Sequence, residues 1–251
     1  MYEDILFQRG YRDISQLEDD RFTAKLDNGA VFIKVENVYS NETQALLELS
    51  NIEGVSCLVD TFDLGDNRVI VTKIVKGVEL EEYLHSVRKR TLQANRAIAF
   101  QLINLVKEIH RCGWIHGDIH TSNIIVDDDL NVTLIDFGAS MRVNASNCDL
   151  VPLYPPPESL LISSNQKVTI DSAYCMDEKY DYWALGLVLF RIFTHDYIPA
   201  ASNFMLEEPL FRYEDNYVPY SYRPELTLEI NTWLSDLLAH DPHKRKLPST
   251  Y

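Results

Sequence analysis

The sequence predicts an α+β protein, with a small antiparallel sheet carrying one helix near the N-terminus and a larger, mainly helical remainder. Three observations lead there. β-branched and aromatic runs crowd the chain up to Ile74, and the dipeptide Asn28-Gly29 stands between two of them, a strong hairpin signal because both residues tolerate the positive φ that tight turns need. Beyond that, apolar residues recur three and four apart over Gln93 to Cys112, the period of a helix. The 251 residues are 46% apolar, enough for one large domain or two small lobes around a packed core.

In chain order, Ile5 to Gln8, Arg21 to Leu26 and Ala30 to Val35 read as strands, with a turn at Asp27-Asn28-Gly29. Lys34 closes the third, in the segment Val31-Phe32-Ile33-Lys34. Asn41 to Leu49 has helical spacing, with Ala45, Leu46 and Leu49 on one side and Ser40 or Asn41 as N-cap. A further strand is expected at Val55 to Asp60. Arg68 to Ile74 is a buried-type strand that runs into Val75-Lys76-Gly77-Val78 before a helix opens at Glu79. The long helix over Gln93 to Cys112 buries Ile98, Leu102, Leu105, Val106 and Ile109, and Gly113 stands where a C-cap glycine belongs.

The stretch Ile115 to Gly138 concentrates the chemistry. Asp118 is followed five residues later by Asn123, then by an apolar run, a polar turn at Asp127 to Asn131, a second run, and Asp136-Phe137-Gly138. A tight hairpin there returns Asn123 and Asp136 to the same end. The convergent carboxylate and amide oxygens suit a hard cation such as magnesium, with phosphates and water completing its shell. His116 and His120, four apart, have the spacing of a zinc pair on a helix, but Gly117 and the neighbouring strand pattern argue against a helix.

This stretch resembles the catalytic and metal-binding loops of the protein kinases, with His116-Gly117-Asp118 where His-Arg-Asp is usual. The resemblance extends to Pro155-Pro156-Pro157-Glu158, similar to the Ala-Pro-Glu signature, to Asp181-Tyr182-Trp183-Ala184-Leu185-Gly186 of the central helix, and to His240 through Arg245. It implies a bilobal kinase-like fold in one domain over 1–251, with an N-lobe at 1–72, a hinge at 73–78 and a C-lobe at 79–251. It also implies a buried ion pair between Arg245 and Glu158.

The resemblance further implies ATP and Mg2+ as cofactors. Asp118 would accept or orient the proton of the attacking hydroxyl, and Asn123 and Asp136 would hold magnesium. Lys34 would pair with the α- and β-phosphates, partnered by Glu42 or, as the alternative, Glu48. Thr72 would stand at the back of the pocket, the backbone of Lys73 and Val75 would face adenine, and Glu79 would reach the ribose. His116 would pack below Phe137, and His120 would lie near the transferring phosphate. The implied activity is ATP- and magnesium-dependent transfer to a protein hydroxyl, serine or threonine.

The chain departs from the family in three places. Gly10 is the only glycine between Ile5 and Leu26, so the glycine-rich loop is absent. Phe32 stands two before the lysine, where a small residue commonly lets adenine stack. Gly117 and His120 replace residues usual in protein-serine kinases, as in the aminoglycoside phosphotransferases. These departures keep two alternatives open: a small-molecule phosphotransferase, and a pseudokinase acting as a binding scaffold.

Composition bounds the surroundings. A net charge of −15 argues against nucleic acid or an anionic membrane as partner and favours a basic protein substrate. The sequence has no apolar run near membrane length and no signal pattern at Met1-Tyr2-Glu3-Asp4, so a soluble, cytoplasmic protein is expected. Cys57, Cys112, Cys148 and Cys175 are widely spaced and read as free thiols. The segment 159–180 is longer than the family needs and reads as a surface insertion.

Overall fold

A computed structural model describes residues 2–27, 29–86, 91–143, 156–162, 168–170, 176–196 and 220–249. Asn28 of the expected turn, Pro155, Cys148, Cys175 and Ser163 to Gln166 lie outside the described residues.

The N-terminal part is a five-stranded sheet in the order β1-β2-β3-β5-β4. Its strands are β1 (Arg12–Glu18), β2 (Arg21–Leu26), β3 (Gly29–Asn37), β4 (Leu58–Leu64) and β5 (Asn67–Lys73), each antiparallel to its neighbours. The expected hairpin joins β2 to β3, with Leu26 opposite Gly29 and Asp27 at φ 52°.

Ile5 to Gln8 is not a strand. It belongs to helix α1 (Tyr2–Gln8), with Glu3 and Asp4 in its first turn, where carboxylates complement the positive end of the helix dipole. Leu6 is buried, and Tyr2, one turn away, packs on the same cluster. A four-residue apolar run does not distinguish helix from strand. The true first strand was hidden because β1 is a mostly exposed edge strand, whose polar side chains show no burial alternation. The strand expected from Val55 begins at Leu58, and Val55 forms only an isolated bridge to Leu134.

Period-two alternation divides the sheet's two faces. Val31, Ile33 and Val35 of β3 join Phe22, Ala24, Val69 and Val71 in a cluster that α1 covers. Phe32, Lys34 and Glu36 therefore share the opposite face. Ile70 packs there with Ala45, Leu46 and Leu49, near helix α2 (Glu42–Glu48), and joins the larger core.

That core is built on α3 (Leu80–His85), α4 (Leu92–Arg111), α5 (Glu178–Thr194) and α6 (Leu228–Leu237). Thr91 caps α4 by accepting from Ala94 N at 3.0 Å, and Asp177 and Thr227 cap α5 and α6. Helix α5 is buried on every side from Tyr180 to Phe193, as expected of a central helix. Asn95 of α4 donates to Ile192 O at 2.8 Å and joins the two longest of the described helices.

Short strands deliver the loops. β6 (Val78–Glu79), β8 (Ile124–Val126) and β9 (Val132–Leu134) form one small sheet, and β7 (Trp114–Ile115) pairs with β10 (Met141–Arg142). The expected insertion contains an antiparallel pair, β11 (Leu160–Ile162) with β12 (Val168–Ile170). Among the described residues no helix is long and apolar enough to cross a membrane.

Candidate active site

A cleft of about 590 Å³ lies between the five-stranded sheet and the helical part. Phe32, Thr72, Val75, Ile125 and Ile135 line it, as do Lys34, Glu42, Asp118, His120, Asn123 and Asp136; Lys73 and Glu79 complete the expected set. All ten site residues named from sequence therefore border one cavity.

Strand β3 aims Lys34 into it. Its ammonium lies 2.8 Å from Glu42 Oε2, 2.9 Å from Asp136 Oδ1 and 3.4 Å from Glu36 Oε2. Of the two candidate partners it is thus Glu42 that meets Lys34. Packing explains why: α2 buries Ala45 and Leu46, and Glu42, only 4% exposed, falls on the inward side at the helix start. Ser40 Oγ accepts the Glu42 N–H at 3.1 Å, while Asn41, the other capping candidate, turns its amide to Ser140 O at 3.3 Å.

Charge is unevenly shared in this group. Burial works to lower the Lys34 ammonium, but Glu42 and Asp136 outweigh it and hold it above its ordinary value. Burial, reinforced by Glu36 and Asp136, pushes the Glu42 carboxyl up to about 7 against the pull of Lys34. Burial also opposes ionisation of Asp136, yet Lys34, the Gly138 amide and Arg21 hold it below the usual range.

The hairpin β8–β9 returns the chain as expected, and Ile135 N donates to Asn123 O at 2.9 Å, joining the two loops. Asn123 Nδ2 donates to Asp118 O at 2.9 Å and to Asp118 Oδ2 at 3.1 Å. Two acceptors fix which end of the amide is nitrogen. The Asn123 amide oxygen is thereby assigned away from Asp118. His120 Nδ1 accepts from Ser122 N at 3.2 Å, so its other nitrogen carries the proton toward Asp118 Oδ2 at 3.4 Å.

The loop before Asp118 needs its glycine. Gly117 has φ +81°, and a Cβ there would stand 2.4 Å from Ala139 O. His116 is neutral by its partners: Nδ1 accepts from Asp118 N at 3.2 Å and Nε2 donates to Ile135 O at 3.2 Å. Its ring meets Phe137 edge-on at 4.6 Å. His116 and His120 share no helix, as the sequence argued; only Thr121–Asn123 forms a helical turn.

Three features escaped the sequence reading. Asp181 of α5, fully buried, accepts from His116 N at 2.9 Å, Gly117 N at 3.0 Å and His110 Nε2 at 2.7 Å. It clamps the loop that carries Asp118; the Asp181-to-Gly186 resemblance pointed to a central helix but not to this contact. Glu36 and Arg21 also reach the Lys34–Asp136 pair, and strand alternation from Lys34 pointed to Glu36. At the far end of the cleft, Lys73 N already donates to Cys57 O at 2.9 Å, so Lys73 offers a base its carbonyl at most.

Arg245, 1% exposed, binds Glu158 through two contacts at 2.5 and 2.6 Å. The protein kinase domain model matches residues 15–249. The chain belongs to the protein kinase domain family. The chain is 27% identical to the Schizosaccharomyces pombe serine/threonine-protein kinase cds1 over 175 residues, which is 68% of this chain and 36% of that relative. Serine/threonine-protein kinase 1 of African swine fever virus, isolate Tick/Malawi/Lil 20-1/1983, is 26% identical over 198 residues, covering 75% and 59%. The human hormonally up-regulated neu tumor-associated kinase is 26% identical over 203 residues, covering 76% and 26%. The chain thus spans less than two thirds of the length of each of these relatives. Where the family carries its glycine loop, this chain has the two-residue turn Asp19-Asp20 between paired Glu18 and Arg21.

Proposed function

We propose that this chain transfers the γ-phosphate of ATP, with magnesium, to a serine or threonine hydroxyl of a protein. The observation that carries this reading is the meeting of Lys34–Glu42, Lys34–Asp136 and Asp118–Asn123 in one cleft. The named serine/threonine kinases among its relatives support the acceptor class.

The donor set fits magnesium, which takes one or two carboxylates and completes its shell with water and phosphate. Asp136 supplies an ionised carboxylate and Asn123 an amide oxygen. When bound, the cation neutralises phosphate charge. Asp118, held by Asn123 and faced by His120, takes the proton of the acceptor hydroxyl. The acceptor oxygen bonds to the γ-phosphorus as the bridge to the β-phosphate breaks, and ADP leaves. Lys34, fixed by Glu42, holds the donor phosphates in line.

The acidic chain suits a basic protein acceptor, and the proposed compartment is the cytoplasm. The test is intact-mass and peptide spectrometry after incubation with Mg-ATP, alone and with basic protein substrates, beside a screen of small-molecule acceptors. Transfer to protein that falls about 10²–10⁴-fold in Asp118→Asn, with circular dichroism unchanged, supports the reading. Transfer to metabolites alone, or full activity in that variant, refutes it.

A further inference from the structure

We infer that Arg21 is a phosphate-binding residue of the nucleotide site, performing from β2 a task that the missing glycine loop leaves open. The inference rests on the ATP-binding reading above and concerns how the polyphosphate is held.

Strand register puts Arg21 in place. Arg21 lies opposite Lys34, and Thr23 opposite Phe32. Phe22 and Ala24 are buried in the outer cluster, so Arg21 and Thr23 face the other way, and both line the cleft. The turn before Arg21 is a poor substitute for a glycine loop. Asp19 and Asp20 bring two negative charges, and Asp20 O accepts from Val35 N at 2.8 Å, which ties the turn to β3.

The charges in the cleft call for a second cation. Lys34 answers three carboxylates, Glu36, Glu42 and Asp136, and Glu36 Oε1 is buried with no hydrogen-bond partner. Among the described cleft-lining residues, Arg21, Lys34 and Lys73 stand against Glu42, Glu79, Asp118 and Asp136. A triphosphate adds several more negative charges.

Arg21 reaches the right place. Its guanidinium lies 3.9 Å from Asp136 Oδ2, on the same carboxylate whose other oxygen holds Lys34. Its other ionic contact, to Glu18 Oε2, is 3.6 Å. Both distances exceed a hydrogen bond, and the side chain is 40% exposed, so the guanidinium fork can turn to phosphate oxygens. A planar fork binds phosphate through two parallel N–H groups, which an ammonium cannot do. Once a divalent cation occupies the Asp136 carboxylate, phosphate becomes the better partner for Arg21.

The test is calorimetric titration of the whole chain with Mg-ATP and, separately, with adenosine, which shares the base and ribose but has no phosphate. Arg21→Gln is expected to raise the Mg-ATP dissociation constant roughly tenfold or more and to leave adenosine binding unchanged. Arg21→Lys keeps the charge without the fork and is expected to fall between, and it carries the comparison should the glutamine variant not fold. Mg-ATP affinity within twofold of the native chain in either variant overturns the inference alone. So does an equal loss for both ligands, which marks a structural role. A native chain that binds neither ligand overturns the ATP-binding reading, and this inference with it.

Discussion

Arg142 grips Glu48 through both carboxylate oxygens, at 2.5 and 2.6 Å, across 94 residues of sequence. The same guanidinium lies 4.3 Å over the Trp114 ring, and Trp114 Nε1 donates to Glu48 at 3.2 Å. Helix α2, which carries Glu42, is therefore tied to the strand just after Asp136-Phe137-Gly138. Gly117 stands directly before Asp118, and the Arg142–Glu48 pair holds α2 against the strand that follows this loop.

Arg142→Ala is accordingly expected to lower turnover several-fold with little change in melting temperature, because the pair is partly exposed and such pairs add little stability. Steady-state kinetics beside thermal unfolding separate the two effects. Unchanged turnover would show that α2 holds its place without Arg142.

The Arg245–Glu158 pair has the opposite balance. Arg245 is buried, stacks 4.8 Å from the Trp183 ring and also binds Ala239 O at 2.8 Å. Glu158→Gln leaves a buried guanidinium without its counter-charge and is expected to destabilise by about 3 kcal/mol, the low end for a buried pair because the Glu158 side chain is 20% exposed. At roughly 2–4 °C per kcal/mol for a domain of this size, the melting temperature falls by about 6–12 °C. A shift under about 2 °C would contradict it.

Two buried groups, His116 and Asp181, make acid costly to the fold. Burial holds His116 below its ordinary pKa despite nearby Asp181 and Asp118, and its two hydrogen bonds demand the neutral ring. The unfolded chain takes this proton near pH 6.5 and the native chain does not. The His116 contribution is therefore full above about pH 6.5 and declines as pH drops below it. Burial raises Asp181, but His110 and the Gly117 amide hold it below its ordinary value, so a second loss begins below about pH 4. Glu42, raised to about 7 from an ordinary 4.5, gives the opposite slope across the same range, so from about pH 8 to 5 the melting temperature of the native chain should fall more steeply, or rise less, than that of His116→Gln. Equal slopes would exclude His116 as the source.

Gly117→Ala should be severe for so small a change. A left-handed backbone costs a residue with a Cβ about 1–2 kcal/mol, and the 2.4 Å approach to Ala139 O forces the two loops apart. The expected result is a loss of at least about 2 kcal/mol in denaturant unfolding, together with reduced phosphate transfer. A variant as stable and active as the native chain would show that the loop relaxes without cost.

Sequence alone determined what local chemistry and spacing dictate. The α+β class, the Asp27–Gly29 reversal, helix α4 and the hairpin returning Asn123 toward Asp136 were legible because periodicity and turn residues act within a few positions. The Arg245–Glu158 pair was legible only through the family resemblance. Tertiary structure decided the rest. Ile5 to Gln8 became a helix because Leu6 found a place against the sheet, and β1 passed unnoticed because an edge strand buries almost nothing. Only packing could choose Glu42 over Glu48, since both lie on α2 and what distinguishes them is which side of that helix meets β3 and which meets Arg142. Arg21 beside Asp136 and Asp181 beneath Gly117 are long-range contacts, 115 and 64 residues apart in number, and no local pattern encodes them. They arise where strand register and a buried central helix bring distant charges together.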